Sequence, residues 1–206
     1  MRAGELEHYF SPQPSSPSAE DEFTVAVHGR QFRFRTDAGV FSHRFLDRGT
    51  RLLLRSLPLP LEGEVLDWGA GYGPIGVVVA AFSPGARVTM VEINARAAAL
   101  AQGNAERNQA PNVEVLVGDA VEVLGDRRYD AVLTNPPIHA GKSAVTALIR
   151  DARERLRPGG ELRMVVRTQD GAKSYHRLLS ELFDEVVLED IRGGYRVLCA
   201  RVAPGP

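Results

Sequence analysis

The chain has 206 residues, of which 44% are hydrophobic and 25% charged, and its formal net charge is −1. This length and composition fit one globular domain with a small extension, and the balanced charge excludes a strongly basic protein that coats nucleic acid. One cysteine excludes an internal disulfide, no metal site is expected, and the lack of a long apolar run or signal-peptide core predicts a cytoplasmic protein without membrane association.

Residues 1–57 are predicted to form an extension of the main domain. Residues 11–22 are rich in Pro and Ser and then acidic, so an extended arm is expected there. The next stretch, FTVAVHGRQFRFR, alternates apolar and polar residues around His28-Gly29, which predicts a β-hairpin. RFLDRGTRLLLRSL, residues 44–57, carries apolar residues at helical spacing and ends at PLP.

Residues 58–206 alternate strands with helices. Apolar strands are predicted at EVLDWG, RVTMVEIN, VEVLVGD, YDAVLTN and ELRMVVR, and a final hairpin at EVVLEDI and YRVLCARV. The pattern predicts a Rossmann-like, doubly wound α/β fold: a seven-stranded, mostly parallel sheet with a C-terminal antiparallel hairpin, plus the small N-terminal hairpin and helix. Such sheets bind ligands at the carboxyl ends of their strands, so the residues after each strand are the candidates for a site.

The loop after the first of these strands, DWGAGYGPIG at 67–76, fits two patterns. Counted from Gly71 it is G-x-G-x-x-G, typical of dinucleotide binding; counted from Asp67 it is D-x-G-x-G-x-G. Both predict a nucleotide-like cofactor at a helix N-terminus, one for hydride transfer and the other for methyl transfer. Glu92, after the second strand, can accept both ribose hydroxyls of either cofactor, and Asp119, after the third, can accept from an adenine amine.

The segment Asn135-Pro136-Pro137, after the fourth strand, separates the two interpretations. The prolines fix φ and remove two N–H donors, and Asn135 is held extended before them. The Asn135 side-chain oxygen and the Pro136 carbonyl can then accept two hydrogen bonds from one –NH2 group. A dehydrogenase has no evident use for this acceptor pair, whereas an enzyme that methylates a planar amine can use it to turn the nitrogen lone pair toward a methyl donor.

Together these motifs resemble the class I S-adenosylmethionine-dependent methyltransferases, and most closely the single-domain members of the small-subunit (16S) ribosomal RNA guanine-N2 methyltransferase C family. The resemblance runs through HYFSPQP, GRQFRFRTDAGVFS, DWGAGYGPIG, EINARAAALAQGNAERN, TNPPIHAGK, QDGAKS and GGYRVL. It implies S-adenosyl-L-methionine as cofactor and RNA, expected to be ribosomal RNA or the small ribosomal subunit, as partner. Longer members carry a further N-terminal domain; a homodimer could supply the docking surface it would provide, and the oligomeric state stays open.

The resemblance also implies roles for individual residues. The loop 69–73 would hold the methionine moiety, with Asp67 near its ammonium, and the segment 39–42 would fold over the cofactor. The expected cofactor-binding residues are Phe41, Asp67, Gly69, Ala70, Gly71, Gly73, Glu92, Ile93, Asp119, Ala120 and Asn135. The expected catalytic residues are Asn135, Pro136 and Pro137, and the expected substrate-binding residues are Ile138, His139, Lys142 and Lys173.

Two residues depart from the family pattern. Cysteine is common where Ala70 stands, a position that offers mainly its backbone. Single-domain relatives usually have arginine where His139 stands, so a phosphate or base contact there would become weaker and sensitive to pH.

Other functions stay open at this stage. A protein glutamine N-methyltransferase of the release-factor type could use the same acceptor pair, although that family favours tyrosine where Ile138 stands. A non-catalytic cofactor-binding protein is a further alternative, and a nicotinamide oxidoreductase a minor one. Seven arginines in the extension could form an RNA-facing surface that the net charge conceals, although acidic residues lie nearby: Arg30, Arg33, Arg35, Arg44, Arg48, Arg51 and Arg55.

Overall fold

The computed structural model describes residues 17–42 and 44–205. The predicted arm falls partly outside this range: residues 11–16 are not described, residues 17–20 have no regular structure, and the first strand already begins at Asp21. No helix of the described chain is long and apolar enough to cross a bilayer.

Nine strands and six α-helices form the described chain, with short 3-10 turns at Ile138–Ala140 and Thr168–Asp170. The strands are β1 (Asp21–Val27), β2 (Arg30–Thr36), β3 (Gly63–Trp68), β4 (Ala86–Glu92), β5 (Val113–Val117), β6 (Tyr129–Thr134), β7 (Leu156–Arg167), β8 (Glu185–Arg192) and β9 (Tyr195–Arg201). The helices are α1 (Arg48–Ser56), α2 (Pro74–Phe82), α3 (Ala95–Arg107), α4 (Ala120–Val123), α5 (Lys142–Arg155) and α6 (Ala172–Leu182).

The main sheet has seven strands in the order β5-β4-β3-β6-β7-β9-β8. The first five pair in parallel, and β9 runs antiparallel to both β7 and β8. This confirms the predicted Rossmann-like fold with its C-terminal hairpin. From β3 the chain adds β4 and β5 on one side of the sheet, and it then returns to add β6 on the other side of β3. Ligands of such sheets bind at the point where the strand order reverses.

Both faces of the sheet are covered, as the near-continuous apolar strands predict. Neighbouring residues of β3 point to opposite sides: Val65 belongs to the core shared with α1, α2, α3 and the N-terminal hairpin, and Leu66 to the core shared with α5 and α6. The N-terminal extension therefore packs on the main domain and completes one of its two cores.

The N-terminal hairpin turns at His28-Gly29, as predicted, and both residues have positive φ. Its free edge is joined to α3 by two asparagine side chains. Asn104 accepts from the Arg35 N–H at 2.8 Å and donates to the Arg35 carbonyl at 2.8 Å, while Asn108 makes the same pair of bonds to Arg33 at 2.9 and 2.8 Å. Four residues of helix rise about 6 Å and two residues of strand nearly 7 Å, so the two spacings match.

Three elements differ from the prediction, two of them at their first residue and one by its presence. Helix α1 begins at Arg48 rather than Arg44, because the Asp47 carboxylate caps it by accepting from the Thr50 N–H at 3.0 Å. Helix α4 was not predicted; Asp119 caps this single turn by accepting from Val121 N–H at 2.8 Å. Strand β7 begins at Leu156, five residues before the predicted strand, across an irregular stretch of its pairing with β6.

Candidate active site

A cavity of about 630 Å³ opens at the carboxyl ends of the parallel strands, between the β3, β4 and β6 ends and the N-terminal segment. Its volume is typical of a small-molecule site. The following predicted site residues line it: Phe41, Gly69, Ala70, Gly71, Glu92, Ile93, Asp119, Ala120, Asn135, Pro136, Pro137, Ile138 and His139. The fold therefore brings together most of the residues that the strand ends indicated.

The glycine loop directs its first N–H groups into the protein. Gly69 and Ala70 both donate to the Val91 carbonyl at 3.0 Å, and Gly71 donates to Oε2 of Glu92 at 2.8 Å. In a pyrophosphate site such N–H groups point at the ligand. Here they are already bonded, so this loop lacks the donor set that a dinucleotide requires.

Glu92 holds the loop as well as facing the cavity. One carboxylate oxygen accepts from Gly71 N–H, and the other accepts from Asn94 N–H at 2.9 Å. Burial raises the pKa of this carboxyl above its ordinary value, against the backbone hydrogen bonds that lower it. Each oxygen keeps acceptor capacity, so Glu92 can order the loop and still accept from a ribose hydroxyl.

The structure places Asp67 beside the cavity and not in its wall. Its side chain is fully buried and lies outside the cavity wall, with Oδ2 accepting from Gly76 N–H at 2.8 Å inside α2 and Oδ1 without a hydrogen-bond partner among the described residues. Burial raises its pKa to about 7, and the nearby Glu92 charge adds to the rise. Asp67 therefore ties strand β3 to helix α2, and the expected contact with a ligand ammonium stays a prediction.

Three further predicted residues also lie outside the cavity wall. Gly73 begins α2 with φ of 88°, and a Cβ there would lie 3.0 Å from Cβ of Ala101, so its role is the close packing of α3. Lys142 and Lys173 are exposed at the starts of α5 and α6. Their predicted contacts with substrate stay predictions.

The side-chain amide of Asn135 is oriented by helix α1. Its Nδ2 donates to Oδ2 of Asp47 at 3.1 Å and to Oγ1 of Thr50 at 3.0 Å. A carboxylate only accepts hydrogen bonds, so this pair identifies the –NH2 end of the amide and assigns Oδ1 to the other side. Oδ1 has no partner among the described residues, which leaves it available as an acceptor in the cavity.

The Pro136 carbonyl, the other half of the predicted acceptor pair, is partly occupied. It accepts from the Ile138 N–H at 2.8 Å, in the turn that follows the prolines. A carbonyl oxygen has two lone pairs, so one remains for a ligand. The neighbouring Thr134 hydroxyl donates to the Trp68 carbonyl at 2.9 Å and joins the ends of β6 and β3 beside this segment.

Sequence reasoning missed Asp47, Thr50 and Tyr195 as parts of the site. All three line the cavity. Asp47 carried only a helix-cap signal, and nothing in the sequence relates it to Asn135, 88 positions away. Tyr195 packs on α1 at Gly49, where an added Cβ would lie 2.9 Å from two ring carbons, so glycine allows α1 to approach the site closely.

The wall of the cavity is rich in carboxylates. It contains four of them and two basic side chains, Arg167 and His139; the carboxylates are those of Asp47, Glu92, Asp119 and Asp170. The Arg167 guanidinium lies over the Tyr195 ring, 5.3 Å from its centroid. A wall of this composition suits a cationic ligand with hydroxyl and amine donors, and it opposes a pyrophosphate.

The N-terminal segment covers one side of the cavity. Val40, Phe41 and Ser42 line it, and Val40 is buried. The segment is tied to the start of α3, because Asn94 donates to the Gly39 carbonyl at 3.4 Å and Arg96 to the Ala38 carbonyl at 2.9 Å. This placement agrees with the predicted fold of residues 39–42 over a cofactor, which stays a prediction.

Comparison with known proteins gives one family. The model of the methyltransferase small domain matches residues 31–199. The chain is 39% identical over 197 residues to the uncharacterised protein YbxB of Bacillus subtilis, covering 95% of this chain and 98% of that protein. It is 36% identical over 196 residues to the ribosomal RNA small subunit methyltransferase C of Pseudomonas fluorescens, covering 93% of this chain but 58% of that protein.

A solved structure is similar as well. The T. Thermophilus 16S rRNA N2 G1207 methyltransferase (RsmC), in complex with AdoMet and guanosine, matches with a TM-score of 0.76 and 30% identity. The match covers 92% of this chain and 52% of that one. The chain thus spans about half the length of the methyltransferase C relatives, and nearly all of YbxB.

Proposed function

Because this chain belongs to the methyltransferase small domain family and is an S-adenosylmethionine-dependent methyltransferase, we propose that it methylates the exocyclic amine of a guanine in RNA, with small-subunit ribosomal RNA as the expected substrate. The observation that carries the proposal is the held amide of Asn135, which lines the cavity beside a rigid Pro-Pro edge and whose Oδ1 has no partner among the described residues. Two relatives named for small-subunit ribosomal RNA methylation support the RNA substrate.

The cavity fits the cofactor on chemical grounds. S-adenosylmethionine is a cation at sulfur and carries an ammonium, ribose hydroxyls and an adenine amine, and the wall offers carboxylates rather than a phosphate cradle. Glu92 would accept from the ribose hydroxyls and Asp119 from the adenine amine. Since the Gly69, Ala70 and Gly71 N–H groups are bonded within the protein, the loop would present carbonyl oxygens to the methionine end.

The role of Asn135 follows from the lone pair of the target. A guanine amine is planar, with its lone pair delocalised into the ring. When Oδ1 of Asn135 and the Pro136 carbonyl each accept a hydrogen bond from this amine, the nitrogen is held in a fixed position and orientation. When bound, the cofactor would supply a methyl group on a sulfonium sulfur, so that the N–C bond forms as the C–S bond breaks and the electron pair stays on sulfur. The amine proton becomes acidic as the N–C bond forms and passes to solvent water.

Alignment is the main contribution of the protein to this reaction. Orientation of two reactants can supply several kcal/mol of the barrier, so a small error in the amide position costs rate. Asp47 and Thr50 are positioning residues in this scheme, since they hold the Asn135 –NH2 group and leave its oxygen toward the target. The base must be unpaired or flipped out to reach Asn135.

Transfer of a tritiated methyl group to purified RNA and protein substrates tests the proposal. Small-subunit RNA, intact small subunits, large-subunit RNA and release factors are compared, and nuclease digestion with mass spectrometry identifies the product. Label on the guanine N2 of small-subunit RNA supports the proposal. Label on a glutamine of a release factor instead, or no label in any RNA with cofactor binding intact, would refute it.

A further inference from the structure

The outward side of helix α1 carries a stripe of three arginines, Arg48, Arg51 and Arg55, at positions i, i+3 and i+7. All three are exposed, whereas the other face of α1 is buried in the core. At 100° per residue, the three lie within an arc of about 60°, so they form one continuous surface. This surface is called the α1 arginine face below.

The guanidinium groups of the α1 arginine face form no ion pair within the described chain. No carboxylate of the described chain lies within 4.0 Å of these guanidinium groups. Each of the other four arginines of the extension that the structure describes has a partner. Arg33 and Arg35 pair with Glu22, Arg44 lies 3.6 Å from Asp21, and Arg30 donates to backbone carbonyls. Arg48, Arg51 and Arg55 are therefore available to bind a ligand, whereas the other four arginines already make contacts within the protein.

The α1 arginine face begins beside the atoms that hold Asn135. Thr50, which accepts from the Asn135 amide, directly precedes Arg51, and Asp47, which accepts from the same amide, directly precedes Arg48. Asp47, Arg48, Thr50 and Arg51 all lie at the first turn of α1, although the two arginines project to a more exposed side of the helix than Thr50. An extended strand whose base occupies the cavity would leave the site past this turn, where its phosphates come within reach of the arginines.

An exposed aromatic side chain lies in the same region. Phe45, three residues before α1, is 64% exposed, and Phe41 on the cavity wall is 47% exposed. Exposed phenylalanine beside unpaired arginine is the combination that binds single-stranded nucleic acid, because arginine contacts phosphates and aromatic rings stack on bases. A protein partner would be expected to meet a less uniformly charged surface.

We propose that the α1 arginine face binds the phosphates of the RNA next to the target base, and so places that base over Asn135. The inference rests on the proposed RNA substrate and adds the surface that docks it. Each phosphate contact releases counterions, so binding should weaken with salt by a slope of about 0.7 per contact for a single strand. Three contacts correspond to a slope of about 2.

The test compares RNA binding of the full chain and two triple variants. R48Q/R51Q/R55Q removes the face while keeping good helix formers. R128Q/R150Q/R177Q is the matched control, because it removes three exposed arginines away from the cavity. Fluorescence anisotropy gives the affinity for protein-free small-subunit ribosomal RNA between about 50 and 200 mM KCl. Calorimetry with S-adenosylmethionine verifies that each variant is folded.

The face variant is expected to bind at least tenfold more weakly, with its salt slope reduced by about 2, and the control to bind like the unmodified chain. Equal affinity and slope in the face variant and the unmodified chain would overturn the inference, even if guanine methylation is observed. Weaker binding of RNA-free ribosomal proteins by the face variant, with its RNA affinity unchanged, would overturn the inference and identify the face as a protein-binding surface. Loss of RNA binding in the face variant, without guanine methylation by the unmodified chain, would support the face and refute the proposed reaction.

Discussion

Replacing Asp47 with Asn tests whether helix α1 orients the Asn135 amide for the proposed reaction. Asn is as good a helix cap as Asp, so α1 should keep its start at Arg48. What changes is the bond to the Asn135 Nδ2, which is 3.1 Å from a carboxylate oxygen and becomes a bond to a neutral amide. The new side chain can also present its own –NH2 group, which repels that of Asn135.

The expected magnitude follows from the strength of hydrogen bonds. Bonds to charged groups contribute about 1.5–3 kcal/mol and neutral bonds about 0.5–1.5 kcal/mol. The loss of about 1–1.5 kcal/mol of orientation energy corresponds to a roughly tenfold lower kcat. Thr50→Val removes the second bond, of 3.0 Å, and should cost about fivefold by the same reasoning.

Steady-state methylation and calorimetry with the cofactor separate this effect from misfolding. We expect kcat to fall in both single variants while the Kd for S-adenosylmethionine and the Tm change little, and the double variant to approach the activity of Asn135→Ala. If kcat stays at the level of the unmodified chain in both single variants, α1 does not orient Asn135. If kcat falls only in proportion to the folded fraction, the role of α1 is structural.

Three further substitutions in and around the site, and one control in helix α3, examine the remaining interpretations. Asn135→Ala should lower kcat by roughly 100- to 1000-fold with little change in cofactor affinity, because it removes the acceptor of the target amine; retained activity would refute the mechanism. Asp67→Asn should spare cofactor affinity in calorimetry, whereas a direct contact with the ammonium would weaken it. The folded-state pKa of Asp67 is raised from 3.8 to about 7. The stability that this carboxyl contributes is therefore present at acid pH and lost as the pH rises through about 7. The free energy of unfolding of the Asn variant, measured in urea, should not show this decrease of up to roughly 4 kcal/mol. Gly49→Ala should lower both kcat and Tm, because its Cβ would lie 2.9 Å from Tyr195 ring carbons, while Gly103→Ala, a helical glycine with open space around it, should raise Tm.

The fold and the cavity residues that directly follow the strands were predictable because they depend on local patterns. Apolar strands alternating with helices require a parallel sheet covered on both faces, and such a sheet gathers its strand ends at one edge. Glu92 and Asn135 could therefore be assigned to one site from their positions after strands. The second function of Glu92, as acceptor for Gly71, could not, because it depends on the distance between two loops.

The glycine loop illustrates where local patterns stop. Its residues allow a pyrophosphate cradle or a loop that turns its N–H groups inward, and the sequence contains both motifs. Strand β4 decides between them, since the Val91 carbonyl and the Glu92 carboxylate accept the N–H groups of Gly69, Ala70 and Gly71. For the same reason Asp67, which the motif relates to the ligand, instead serves the packing of β3 on α2.

The amino-acid sequence by itself determined the order of elements, the covered sheet and the Asn-Pro-Pro edge, because hydrophobic periodicity and proline restrict the chain within a few residues. Only the tertiary structure decided that Asp47 and Thr50 hold Asn135 and that Arg48, Arg51 and Arg55 form no ion pair with any other described residue. Those facts depend on contacts between segments up to 88 positions apart. Such contacts form only when α1 packs against the sheet, so they have no local signature.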